Sequence, residues 1–290
     1  MRWDDFRRSD NVEDAGSGGG GFPFGGGFRL GGGAIIAVVV ISLLLGKNPL
    51  EILGLLESAA PPPSQVSVQP GPGAAQPNDP QRDFVRAILG DTEDFWTAEL
   101  ARHGVHYQPP KLALFHGQIG SACGFASAAM GPFYCPGDER VYLDLSFFRD
   151  LSQRFGAPGD FARAYVIAHE IGHHVQNQLG LMQKVQERGA NASERTRNAL
   201  SVRQELQADC FAGVWGHSAQ ARGALDTRDI EQGLAAAASV GDDRLQQQSR
   251  GYAVPESFTH GSSEQRVRWF RIGLSTGDLR RCDTFAAASL

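Results

Sequence analysis

The chain has 290 residues, 41% hydrophobic and 20% charged, which is enough for one sizeable core plus extra segments. A net charge of −5 is not that of a basic nucleic-acid binder, so no nucleic-acid partner is expected. The four cysteines, Cys123, Cys135, Cys210 and Cys282, contain no CxxC pair, which argues against a zinc ribbon.

Residues 1–29 are polar and glycine-rich, ending GSGGGGFPFGGGFR, and read as a disordered cytoplasmic tail that buries too little apolar area to offset its chain entropy. Residues 30–46, LGGGAIIAVVVISLLLG, carry no charge and lie between Arg29 and Lys47. They approach the roughly 20 apolar residues a membrane-spanning helix needs. The match to a cleavable signal peptide is poor, so an uncleaved transmembrane signal anchor is expected. Arg2, Arg7, Arg8 and Arg29 precede the span and only Lys47 follows it before Arg82. The positive-inside rule then places the N-terminus in the cytoplasm and the rest outside, which for a bacterium means a single-pass protein of the inner membrane. Residues 47–80 form a Pro/Ala-rich linker, and the folded domain is expected over 81–290.

Within that domain, Phe84–His103 reads as a helix, and Lys111–Phe115 and Arg140–Leu145 as strands. The strand Val141–Leu145 is a candidate sheet edge beside a cleft. Cys123 and Cys135 flank a Gly/Pro-rich stretch and could close a hairpin-like loop, leaving Cys210 for Cys282. Four buried free thiols are the alternative, decided by compartment. Asp160–Leu179 reads as a helix with Asp160 as N-cap and Gly180 as its stop, and Ser193–His217 as a second long helix. Ser262 with Gln265 makes a capping box that opens a third.

The first of these helices contains AHEIGHHVQN, residues 168–177. At about 100° per residue, His169 and His173 point the same way one turn apart, so both imidazoles can meet one ion. His174 is turned away, and Glu170 stands beside the ion rather than on it. This is H-E-x-x-H, a pattern of two zinc-binding histidines and a general-base glutamate. A catalytic zinc needs a third protein ligand and an open position. Gln176 and Leu179 exclude a metzincin, so the ligand must come from elsewhere. The second helix offers Glu205 and Asp209, four apart in RQELQADCFAG. One can ligate zinc while the other accepts the N–H of a ligand histidine.

These residues resemble the glutamate-zincin arrangement HExxH…ExxxD. More closely, SDNVED, ACG…GPFYCP…VYLDLSFF, both zinc helices and SFTHGSSEQRVRWF resemble the neutral zinc metallopeptidase family of bacterial membrane-anchored proteins. The resemblance implies a zinc peptidase fold but no particular substrate. The expected architecture is thus α+β: a zincin-like metallopeptidase domain, mainly helical with a small sheet, behind one transmembrane helix. The expected cofactor is one Zn²⁺ on His169, His173 and Glu205, with Asp209 orienting a ligand, Glu170 as general base and a peptide or protein as substrate. His260, just before a capped helix, is the first candidate for an oxyanion donor and Tyr252 the second. A non-catalytic, zinc-stabilised surface domain is the rival reading, and it would need a fourth protein ligand.

Overall fold

The structure, a computed structural model, describes residues 1–16 and 79–290. The expected span at 30–46 and nearly all of the linker lie outside the described residues. Among the described residues no helix is long and apolar enough to cross a membrane. The architecture is mainly helical α+β with a small sheet.

The sheet holds four strands in the order β1 (Val12–Gly16), β2 (Lys111–Phe115), β6 (Arg140–Asp144) and β5 (Phe133–Cys135). The first three run parallel, and β5 pairs antiparallel with β6. β2 and β6 are almost wholly buried, which suits apolar runs such as LALF and VYL in an interior parallel pair. The expectation that Val141–Leu145 forms an edge is corrected, because β6 is enclosed between β2 and β5. The sheet's edges are β1 and β5, and β5, beyond β6, is too short to stand out as a run in the sequence. A separate hairpin, β3 (Gln118–Ser121) and β4 (Gly124–Ser127), follows β2.

Over residues 1–16 the expectation of a disordered tail is corrected, while residues 17–29 lie outside the described residues. β1 pairs with β2, Ser9 is fully buried and Val12 enters the core. The domain therefore comprises residues 1–16 together with those from 79 onward.

Helix α1 (Pro80–Arg102) begins at Asp79, whose side chain accepts the N–H of Gln81. After α2 (Ser146–Gln153) comes the central helix α3 (Asp160–Gln178), followed by α4 (Leu181–Gly189) and the long α5 (Glu194–Ala221). The chain closes with α6 (Thr227–Ser239), α7 (Asp242–Arg250) and α8 (Ser263–Thr276). Every residue of α3 from Ala164 to Gln176 is buried, as expected of a helix surrounded on all sides. Its N-cap is Gly159 rather than Asp160, whose carboxylate is engaged by Trp3 and Arg163. Ser193 caps α5, and the Ser262–Gln265 capping box opens α8. Trp96, Trp215 and Trp269 are core residues.

Two close helix crossings set the geometry of the interior. A Cβ on Gly172 of α3 would lie 2.9 Å from the Ala208 carbonyl oxygen of α5, so the two backbones meet with no side chain between them. Where α5 meets α8, a Cβ on Gly273 would lie 2.0 Å from the Cys210 carbonyl oxygen. Disulfides join Cys123 to Cys135 and Cys210 to Cys282, the pairing expected, and no described cysteine is free. Such bonds persist in oxidising, extracytoplasmic compartments.

Candidate metal centre

The Gly172 crossing brings one face of α3 against Glu205 and Asp209 of α5. His169, His173 and Glu205 each offer a ligand atom, and these atoms all lie within 4.8 Å of one another. His169 Nε2 is 3.1 Å from Glu205 Oε2, and His173 Nε2 is 3.4 Å from Glu205 Oε1. Ligands held at about 2.0–2.1 Å around a tetrahedral zinc are about 3.3 Å apart, so the donor set fits that ion in both spacing and chemistry. Among the described residues no fourth His, Cys, Asp or Glu joins the group.

Each imidazole is oriented from behind. His169 Nδ1 lies 2.8 Å from Asp209 Oδ1, so an N–H there donates to the carboxylate and leaves Nε2 facing Glu205. His173 Nδ1 lies 2.9 Å from Gln176 Oε1, and the Gln176 amide donates in turn to Gln207 Oε1 and the Gln204 carbonyl. Asp209 has no exposed surface and is held by more than one partner. Tyr165 donates its hydroxyl at 2.5 Å, and Arg266 donates through Nε at 2.8 Å and an amino group at 2.9 Å.

Electrostatics follow from this packing. Burial works against the Asp209 carboxylate, but Arg266 and His169 outweigh it and hold its pKa at about 2. Burial also opposes a charged His169, yet Asp209 and Glu205 together raise its pKa to about 10. Glu205 is held well below the ordinary carboxylate range, because His173, His169 and His260 outweigh its desolvation. With His169 at about 10, the metal-free protein is protonated there at neutral pH, and a metal must displace that proton. Metal affinity should therefore rise on going up in pH from neutral. Calorimetry of zinc binding in buffers of differing ionisation enthalpy should register about one proton released, and a heat independent of buffer would contradict this.

Glu170 is buried by the chain yet lines the adjoining cleft, and no protein donor engages its carboxylate among the described residues. The cleft has a volume of about 1120 Å³. One wall is the edge strand β5, with Phe133 and Tyr134, and apolar side chains such as Phe147, Phe155 and Met182 also line it.

Among the remaining expected site residues, His260 lines the cleft and Tyr252 does not. Tyr252 is 60% exposed and away from the ligands' surroundings. His260 is held by Asp242, whose Oδ2 accepts the backbone N–H groups of Thr259, His260 and Gly261 while Oδ1 lies 3.2 Å from His260 Nδ1. That bond to Asp242, opposed by burial and aided by Glu205, raises the His260 pKa. His174 is buried, facing Tyr134 and the Gln108 carbonyl rather than the cleft.

Nearly the whole chain matches known proteins. Residues 1–285 match the model of the family described as "Putative neutral zinc metallopeptidase". The chain belongs to that family. It is 49% identical over 288 residues to the Escherichia coli (strain K12) protein YpfJ, covering 98% of this chain and 99% of that one. It is also 49% identical over 195 residues to the Mycobacterium tuberculosis protein Rv2575, covering 63% of this chain and 65% of that protein. Both relatives bear the description "Uncharacterized protein". No solved structure matches significantly.

Sequence reasoning missed Arg266, Gln176 and Asp242 as parts of the site. A signal existed for Arg266, a cation on the same helical face as Trp269 and Phe270, where a lone charge would be costly. Removing Asp209 tests the whole arrangement. Asp209→Ala should weaken zinc binding by about 10–100-fold. It should also cost about 3–5 kcal/mol of stability by leaving the Arg266 guanidinium buried without its partner. Chelator competition and denaturant melts would measure the two effects separately.

Proposed function

We propose that the chain is a zinc-dependent endopeptidase that hydrolyses peptide bonds, with Glu170 as general base. The observation that carries this reading is the donor count. Three protein ligands converge, and beside them an unengaged carboxylate opens onto a large cleft. A closed structural zinc would use four protein ligands, so the non-catalytic reading is disfavoured.

His169, His173 and Glu205 would hold the ion, their free donor atoms directed by Asp209 and Gln176. When bound, zinc supplies Lewis acidity, lowering the pKa of a water to about 7 and polarising a carbonyl. Glu170 takes the proton from the attacking water and delivers it to the leaving nitrogen. The His260 ring, fixed by Asp242 through Nδ1, presents Nε2 as a donor to the oxygen that gains charge. An extended substrate adds to the free edge of β5 by backbone hydrogen bonds, in the manner of strand addition. The apolar side chains opposite would receive its side chains. This use of helices and an edge strand is zincin-like. The apolar stretch 30–46 would attach the enzyme to the bacterial inner membrane, with the disulfide-bonded domain on the periplasmic side.

Digestion of a peptide library by the purified protein tests the proposal. Internal cleavages should appear with zinc, vanish with a chelator and return when zinc is restored. A library left intact by the zinc-loaded, folded protein would end the peptidase reading.

A further inference from the structure

The sequence places residues 1–16 on the opposite side of a membrane from the domain, whereas the structure builds them into it. β1 aligns with β2 from Val12 opposite Leu112 to Gly16 opposite Phe115. The Met1 ammonium lies 2.6 Å from Asp229 Oδ1 of α6, and Trp3 donates to Asp160 at the start of the zinc helix. Glu93 of α1, only 4% exposed, accepts from Ser9 Oγ at 2.7 Å, Asn11 Nδ2 at 2.8 Å and Arg7 at 2.7 Å. Its hydrogen-bond partners among the described residues thus all come from this segment, and without them a buried carboxylate would stand alone at considerable cost. Gly90 is shaped for the same contact, since a Cβ there would lie 2.2 Å from the Arg7 carbonyl oxygen.

Two of the arginines that suggested a cytoplasmic N-terminus have another role here. Arg7 bonds Glu93 and Asp94, and Arg8 bonds Asp83 at 2.8 Å and the carbonyls of Asp4 and Phe6. The positive-inside rule counts flanking charge and is blind to this neutralisation. Moreover, Asp14 lies 3.2 Å from Arg82, so the end of β1 and the start of α1 lie side by side.

A strand pair and buried ion pairs cannot form across a hydrocarbon layer of about 30 Å. We infer that residues 1–16 and 79–290 lie on the same side of any membrane the protein touches. The N-terminal segment is a permanent strand of the domain, and the single-pass topology with separated halves is replaced. This inference is independent of zinc and of peptide cleavage.

Two measurements on the full chain test it. Asp10, with its side chain 97% exposed, and the exposed Ser275 are each replaced by cysteine in separate variants, Asp10→Cys and Ser275→Cys, the native cysteines being paired. A membrane-impermeant maleimide applied to bacterial spheroplasts should label both sites before permeabilisation or both only afterwards. One site labelled before and the other only after would overturn the inference. The second measurement needs no substitution. Glu13 and Lys111 are 3.8 Å apart and partly exposed, so a zero-length carbodiimide should join them in intact membranes, as read by mass spectrometry. Absence of that product from intact membranes, when the detergent-solubilised protein yields it under the same coupling conditions, would equally overturn it.

Discussion

Glu170→Gln should retain zinc and the fold but lose about 10²–10⁴-fold in kcat, the usual contribution of a general base. The amide matches the carboxylate in shape and cannot take the proton. Glu170 is not in the ligand group, and no described protein group depends on its charge. Neither metal content nor melting temperature should therefore fall. Metal analysis beside single-turnover cleavage of a library-derived peptide reads both properties. Unchanged turnover would assign the base to another residue, and loss of zinc would mean that Glu170 belongs to the coordination itself.

The opposite pattern is expected of Glu205→Ala. Removing this carboxylate leaves two imidazoles with no anionic donor between them. Zinc affinity should drop by more than the roughly 100-fold that loss of an orienting partner brings. Cleavage would disappear along with the metal. Chelator competition measures the affinity, and a variant with full zinc content would show that a different residue completes the site. Together the two substitutions separate holding the ion from using it, which neither does alone.

The parts of this site that sequence made legible are those carried by spacing within one helix. His169 and His173, and likewise Glu205 and Asp209, stand four apart, and the helical period alone puts each pair on a common face. The strands β2 and β6 and the helices α1, α3, α5 and α8 were visible from apolar runs and caps. Partners supplied by a different element left no such trace. Asp242 reaches His260 and Arg266 reaches Asp209 only through tertiary packing. β1 was illegible for a related reason: SDNVED is polar, and it becomes a strand because Glu93 and β2 receive it. The edge strand β5 and the short helices α2, α4 and α7 offered too few residues for a period to emerge, whereas α6, with 13 residues behind its Asp226 cap, carried a signal that was missed. Membrane-flank arithmetic takes no account of the pairing of Arg7 and Arg8, because it treats charges near a span as free.

The bare crossing of Gly172 over Ala208 has one more effect, on which cations the centre can admit. With no side chain to compress, the two helices act as a fixed gauge, their imidazole and carboxylate atoms standing 3.1 and 3.4 Å apart. Calcium seeks six to eight oxygens at about 2.3–2.6 Å, and magnesium an octahedron rich in water. Two imidazole nitrogens and a single carboxylate suit neither, so discrimination against the abundant hard cations rests on the donor set that a missing methyl group lets the two helices bring together.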